Sequence, residues 1–455
     1  MLRPYEKYKD TKAVWIDSIP FQWESRKVRE LFVERKIKVS DKDYAPLSVS
    51  KAGVVPQLDT AVKTDNGDNR KLVKAGDFVI NSRSDRKGSS GVSTLNGSVS
   101  LINIVLKPIS NENLRYLHYL LRCVPFTEEY YRNGRGLVAD LWTTRYSELK
   151  NIFLPIPPRP EQDQIVRFLD WKTAEIARYI KGKRKEIAYL TELKNSLIFH
   201  AVTKGCRPTA TKMGQQKWIG HIPAHWEEKM LFQCATEQNI SNKNVHNQNL
   251  LSLSYGKIVN KDINTTTGLL PASFDTYQII HNGNIILRLT DLQNDHKSLR
   301  VGLSTQTGII TSAYTCLKPR ANVLPEYLYL LLHSYDVSKL FYGMGGGVRQ
   351  SIGYNDIRRM IVLLPPKEEQ EEIVTYCHGV QAKIDLLIDS IKNEISYLGE
   401  LRTKTIADVV TGKVDVRGVI IPEYEMTTYD EIDEDINEDT TDKSEEETLD
   451  EEVDD

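Results

Sequence analysis

The sequence predicts an α+β protein of two tandem repeats, each a globular mixed α/β segment followed by a long helix, with the two helices forming a coiled coil. Three observations carry that reading. The stretch Trp15-Ile16-Asp17-Ser18-Ile19-Pro20-Phe21-Gln22-Trp23 returns 203 residues later as Trp218-Ile219-Gly220-His221-Ile222-Pro223-Ala224-His225-Trp226. A second block, Tyr146-Ser147-Glu148-Leu149-Lys150 through Pro157-Pro158 and Glu161-Gln162, returns at an offset of 208 as Tyr354-Asn355-Asp356-Ile357-Arg358 through Pro365-Pro366 and Glu369-Gln370. After each proline stop comes a long proline-free stretch with an apolar seven-residue period.

The repeats divide the chain into a globular segment at 1–157, a helix at 158–205, a second globular segment at 206–366, a second helix at 367–413 and a C-terminal extension at 414–455. In the first globular segment, Ala75-Gly76-Asp77 reads as a turn entering a buried strand Phe78-Val79-Ile80-Asn81, and Asn282-Gly283-Asn284 enters Ile285-Ile286-Leu287-Arg288 in the second. Strands ending at Leu106-Lys107-Pro108 and Leu317-Lys318-Pro319 are followed in both copies by a short helix, from Leu114 to Leu121 and from Pro325 to Leu332. Glycine loops come next, at 131–136 and 342–347. The frames agree, whereas 35–75, 82–98, 237–282 and 289–310 diverge. A frame kept twice with divergent inserts suits two recognition surfaces of different specificity, and neutral drift of surface loops after duplication would leave the same pattern.

The helices follow from their periodicity. Leu169, Ile176, Lys183, Leu190 and Leu197 lie on one line, with Ile180, Ile187 and Lys194 on the other; Ile384, Ile391, Leu398, Ile388, Ile395 and Arg402 occupy the same register in the second copy. Matching register predicts that the two pack on each other, with Lys183, Lys194 and Arg402 as polar seam positions that set alignment. At 1.5 Å per residue such helices are rods of roughly 60 Å. Gly205 and Gly412 stand where C-cap glycines belong.

Composition bounds the function. Five cysteines (Cys123, Cys206, Cys234, Cys316, Cys377) lie far apart, which argues against a disulfide framework or a zinc site and for reduced thiols. No apolar leader or membrane-length run is present, so a soluble, cytoplasmic protein is expected. Eighteen carboxylates against one lysine give the last 33 residues a net charge of −17, which leaves the preceding 422 at +15. A near-neutral total thus conceals a basic body able to bind a phosphate backbone. Phosphate-loop, zinc-protease and nucleophile-elbow signatures are missing, so no catalytic or metal-binding residue is assigned.

The remaining candidates are basic and polar side chains in loops. Arg83, Arg86, Lys87, Arg132, Asn133, Arg135 and Arg145 in the first copy, and Lys257, Arg288, Lys297, Arg300, Arg349 and Gln350 in the second, are of types that hold phosphates or reach base edges.

The Trp-Ile-x-x-Ile-Pro-x-x-Trp openings, the runs Leu154 to Ile165 and Leu363 to Ile373, and the helix endings Ala201-Val202-Thr203-Lys204-Gly205 and Val409-Val410-Thr411-Gly412-Lys413 together resemble the specificity (S, HsdS) subunits of type I restriction-modification systems. The resemblance covers residues 12 to about 417 and leaves out the acidic tail. It implies two target-recognition domains held apart by the two long helices as an antiparallel coiled coil, which bind a bipartite, asymmetric site on double-stranded DNA. It implies as partners two modification subunits that methylate adenine N6 and two ATP-dependent restriction subunits. S-adenosylmethionine, ATP and Mg are then expected in those partners, with no cofactor bound by this chain. Two other functions fit the residues: a non-catalytic decoy or assembly protein for modification subunits, and the reader pair of a fused methyltransferase or nuclease.

Overall fold

The computed structural model describes residues 3–57, 67–136, 142–244, 247–262, 273–290, 292, 295, 298–344 and 352–424. The described residues gather into two compact units, one formed by the chain up to 184 together with 392–424 and the other by 185–391. Two long helices, Arg159–Lys204 and Lys367–Val410, each contribute to both units.

The first unit contains a four-stranded antiparallel sheet, in the order Ser90–Val92, Phe78–Asn81, Asn103–Pro108, Phe32–Glu34. Beside it stand a three-stranded sheet of Gly97–Val99, Arg70–Val73 and Lys38–Val39 and a hairpin of Leu47–Ser50 with Gly53–Pro56. The second unit repeats this plan. Its four-stranded sheet runs Val301–Leu303, Ile285–Leu287, Thr315–Pro319, Ala235–Gln238, beside Gly308–Ile310, Gln278–Ile280 and Ile240–Ser241, with a hairpin of Leu251–Ser254 and Lys257–Asn260. The mixed α/β content and both long helices read from the sequence are present.

Repeated polar side chains hold each frame. Gln162, buried at the start of the first long helix, donates to the Pro157 carbonyl at 2.8 Å and accepts from the Asn113 amide at 2.8 Å. Gln370 does the same with Pro365 at 2.9 Å and Leu324 at 2.7 Å. Asn113 also caps its helix, accepting from Arg115 N at 2.8 Å. Tyr116 Oη donates to the Pro155 carbonyl at 2.8 Å, and Tyr327 Oη to that of Leu363 at 2.9 Å.

The opening motif of each copy closes the end of a long helix. In the first unit Trp23 and Pro20 press on Gly412, which has φ +79 and no room for a Cβ beside the Pro20 ring. In the second, Trp226 lies against Gly205, at φ +78. Both glycines sit at left-handed positions that a side chain would strain.

The seam positions are withdrawn from solvent in both units. In the first, Leu169, Ile176 and Ile180 are buried and Ile395 and Leu398 half-buried, and Lys183 reaches Glu394 at 3.0 Å. In the second, Ile384, Ile388 and Ile391 are buried and Ile187, Leu190 and Leu197 half-buried, with Lys194 at 2.7 Å from Asp385. The seam lysines therefore bind carboxylates on the other helix.

All five cysteines are free thiols. Burial pushes Cys123, Cys316 and Cys377 up to about 12, so they stay protonated. Among the described residues no helix is long and apolar enough to cross a membrane, and no cluster of three His, Cys, Asp or Glu is placed to hold a metal.

Candidate nucleic-acid interface

In the first unit the segment after Phe78–Asn81 is turned by local side chains. Asn81 Oδ1 accepts from Arg83 N at 3.1 Å, and Ser82 Oγ donates to the Ile102 carbonyl at 2.6 Å. Thr143 forms antiparallel bridges with both Arg83 and Arg135, its amide and carbonyl exchanging 3.0 Å bonds with Arg135. The segment at Arg83 is thus laid beside those at Arg135 and Thr143, bringing Arg83, Arg135 and, two residues beyond Thr143, Arg145 to one region. Arg135, Arg145 and Arg86 are exposed, and Arg83 is half-exposed with its Nε 3.2 Å from Asp85.

A cleft of about 630 Å³ opens at Thr143 and Arg145, lined also by Lys36, Lys71, Lys150, Ser82, Ser147 and Glu34. Lys71 Nζ donates to the Asn103 carbonyl at 2.7 Å and stands 3.7 Å from Glu34. Burial holds Lys71 below the usual lysine range, with Glu34 opposing that shift. Four cations facing one carboxylate suit a phosphate backbone. Lys36, Lys71 and Lys150 did not stand out in the sequence because they belong to different strands and turns, and only the fold makes them neighbours.

Other candidates are engaged within the unit. Lys87 Nζ lies 2.5 Å from Glu128. Arg132 pairs with Glu129, and Asn133 Nδ2 donates to the Glu129 carbonyl at 2.8 Å and to Glu129 Oε1 at 2.9 Å. Asn133 therefore braces a helix end.

The second unit corrects one expectation outright. Arg300 is not a surface cation: it is fully buried, and its guanidinium donates to the Thr290 carbonyl at 2.6 Å, the Asp295 carbonyl at 2.5 Å and Tyr342 Oη at 3.1 Å. Its backbone amide donates to Asp336 Oδ2 at 2.6 Å. A loop with so many inward carbonyls needs a buried donor with several N–H groups, and arginine supplies them. Burial pushes the Asp336 carboxyl up to about 6, although the Arg300 amide and guanidinium pull the other way.

Arg288 is mostly covered, with Nη2 at 3.9 Å from Asp295 and a buried Nε that meets no acceptor among the described residues. By strand register it takes the place of Asn81, one step past the strand Ile285–Leu287, and not that of Arg83. Lys257 is exposed at the start of its strand. Lys297, Arg349, Gln350, the second half of the second glycine loop (345–347) and the acidic segment from 425 onward lie outside the described residues.

No family model matches the chain. A curated sequence from Methanocaldococcus jannaschii, provisionally named a type I restriction enzyme MjaX specificity subunit, is 22% identical over 451 residues, covering 92% of this chain and 99% of its own length. A solved structure described as the basis of complex assembly and conformational transition of the type I R-M system superposes with a TM-score of 0.60 at 12% identity, over 87% of this chain and 99% of that one. The HsdS subunit from Thermoanaerobacter tengcongensis gives 0.45 at 14% identity, over 87% and 98%. The likeness to type I specificity subunits, first carried by the repeated motifs, is borne out.

Proposed function

We propose that this chain is the DNA-specificity subunit of a type I restriction-modification complex, each unit recognising one half of a bipartite, asymmetric duplex site. The observation that supports this most directly is the duplicated frame: one sheet order and one set of glutamine and tyrosine ties, built twice around segments that differ. A frame kept constant while its inserts change is what two readers of unlike half-sites require. The cationic cleft at Lys36, Lys71, Arg145 and Lys150 supplies phosphate contacts that fix register, and divergent loops supply base contacts. The long helices set the unread spacer between half-sites.

In this reading two modification subunits bring S-adenosylmethionine and methylate adenine N6 on a flipped base, and two restriction subunits bring ATP and Mg. The chain itself binds none of these. The test is to reconstitute the full chain with its cognate modification subunit and S-adenosylmethionine on plasmid DNA, then map methyladenine. The expected result is methylation at two short half-sites with a fixed spacer, and no transfer by the chain alone. Lengthening both helices by one heptad should widen the spacer and leave both half-sites unchanged. Methylation without sequence preference would sink the reading.

A further inference from the structure

We infer that the acidic segment 425–455 occupies the cationic cleft of the first unit when no DNA is bound, so that a duplex must displace it to engage that unit. This rests on the reading of the cleft as a phosphate site.

The cleft is built twice and charged once. By strand register Glu237 takes the place of Glu34 and Gln278 that of Lys71, while Asn239, two residues past Glu237, takes that of Lys36. The repeated block puts Gly353 and Arg358 in the places of Arg145 and Lys150. The match at Lys71 extends to its bond: Lys71 Nζ donates to the Asn103 carbonyl at 2.7 Å, and Gln278 Nε2 donates to the corresponding carbonyl, that of Tyr314, at 2.5 Å. An amide thus serves the frame as an ammonium does. Only one of the four cations, as Arg358, is present in the second copy, and Glu237 balances it.

Within the first unit that charge is only partly answered. Glu34 lies 3.3 Å from Lys36 and 3.7 Å from Lys71. The side chains of Arg145 and Lys150 make no hydrogen bond or ion pair among the described residues, and Arg145 is exposed. Two readers of one duplex both meet phosphates, so phosphate contact alone accounts for cations in both copies. A charge confined to one copy calls for an anion confined to one side.

The chain carries such an anion. Residues 425–455 hold seventeen carboxylates and one lysine, a net charge of −16. They follow directly on the first unit, where Gln164 holds the carbonyls of Val416 and Val419 and Tyr424 lies within the fields of Asp170, Arg115 and Arg167. Fully extended, 31 residues span at most about 100 Å. A folded unit of about 220 residues has a radius of gyration of about 17 Å, so the cleft is within reach. Tethering keeps the segment at an effective concentration of the order of millimolar. Its carboxylates suit the same lysine and arginine donors that a phosphate would take. A duplex is more densely charged, about one charge per 1.7 Å, and can displace it.

The experiment pulses the full chain, and a chain ending after Ile421, with an amine-acetylating reagent in the absence of DNA, and reads each lysine by mass spectrometry. At low salt Lys36 and Lys150 should react about threefold or more faster in the shortened chain, because the tethered anion no longer covers them. Lys12 and Lys257, which are exposed and do not line the cleft, should react equally in both. Salt at about 1 M, where the screening length is about 3 Å, should abolish the difference. In the full chain, Arg145→Ala with Lys150→Ala should free Lys36 as truncation does, with an unchanged melting temperature showing that the unit is still folded. Equal rates at Lys36 and Lys150 in the two chains overturn the inference. So does a rise shared by Lys12 and Lys257, which is a diffuse field, or a Lys36 still protected after the double substitution. None of these readings needs DNA, so methylation without sequence preference, which sinks the proposed function, is a separate failure.

Discussion

Trp23 donates its indole N–H to Glu161 Oε1 at 2.9 Å, and Tyr5 Oη donates to the same oxygen at 2.7 Å. The repeat places Trp226 and Glu369 in the corresponding positions, but there the carboxylate is 2.8 Å from His225 Nε2, and the buried Trp226 Nε1 meets no acceptor among the described residues. The two copies of one motif thus differ in how the tryptophan is satisfied. Glu161→Ala strands two buried donors and should destabilise the first unit by about 1–3 kcal/mol. Glu369→Ala removes a contact to a histidine that is largely exposed, and should cost less. Urea denaturation of both variants checks the order; equal losses would mean that the indole bond contributes nothing measurable.

What could be read from the sequence follows from how each residue acts. Gln162 and Gln370, like Tyr116 and Tyr327, bond to backbone atoms of a shared frame, so both copies retain them and repetition makes them visible. The seam residues are visible for a similar reason, because a helix face leaves a period. Arg300 gave no such signal: an arginine in a divergent loop looks like a solvated cation, and only the inward carbonyls of Thr290 and Asp295 show otherwise. The cleft at Lys36, Lys71 and Lys150 was hidden because long-range strand pairing assembles it. Both hairpins lie inside the divergent segments 35–75 and 237–282, and the Leu-Ser-x-Ser pattern they share is the one trace of that common element in the sequence.

Arg300 and Arg145 should therefore behave oppositely. Arg300→Met leaves several buried carbonyls without donors, and a loss of about 3 kcal/mol or more in the second unit is expected from thermal or chemical unfolding. Arg145→Ala should leave unfolding unchanged. Its expected effect is weaker DNA binding, with the slope of log affinity against log salt reduced by about 1, the signature of one lost phosphate contact. An unchanged slope would remove Arg145 from the interface.

Asp336 makes the stability of the second unit depend on pH. Its carboxyl is pushed up to about 6 by burial, above the ordinary value of 3.8, so between those limits the folded state binds the proton more tightly than the unfolded chain. The contribution is fully present below about pH 4 and declines as pH rises towards about 6, by at most roughly 3 kcal/mol. Asp336→Asn resembles the protonated form and still accepts from the Arg300 amide. Subtracting its stability from that of the wild type cancels the other carboxylates, and the difference should fall between pH 4 and 6. A flat difference would show that the buried Oδ1, which meets no donor among the described residues, is relieved in some other way.

The acidic tail offers the last test, because it opposes the charge of the body. Gln164 Nε2 donates to the carbonyls of Val416 at 3.1 Å and Val419 at 2.9 Å, so the chain leaves the first unit along the start of a long helix. Tyr424 lies there within the fields of Asp170, Arg115 and Arg167. Beyond it follow most of the eighteen carboxylates that bring a body of +15 to a total of −2. Ending the chain after Ile421 should raise affinity for nonspecific duplex at low salt, about tenfold or more, because a like-charged segment no longer repels the phosphates. The gain should shrink as salt shortens the screening length from about 10 Å at 0.1 M to about 3 Å at 1 M. Fluorescence anisotropy across a salt series measures both terms. If the truncated and full chains bind equally at low salt, the tail's charge does not reach the DNA-binding face and its role lies elsewhere.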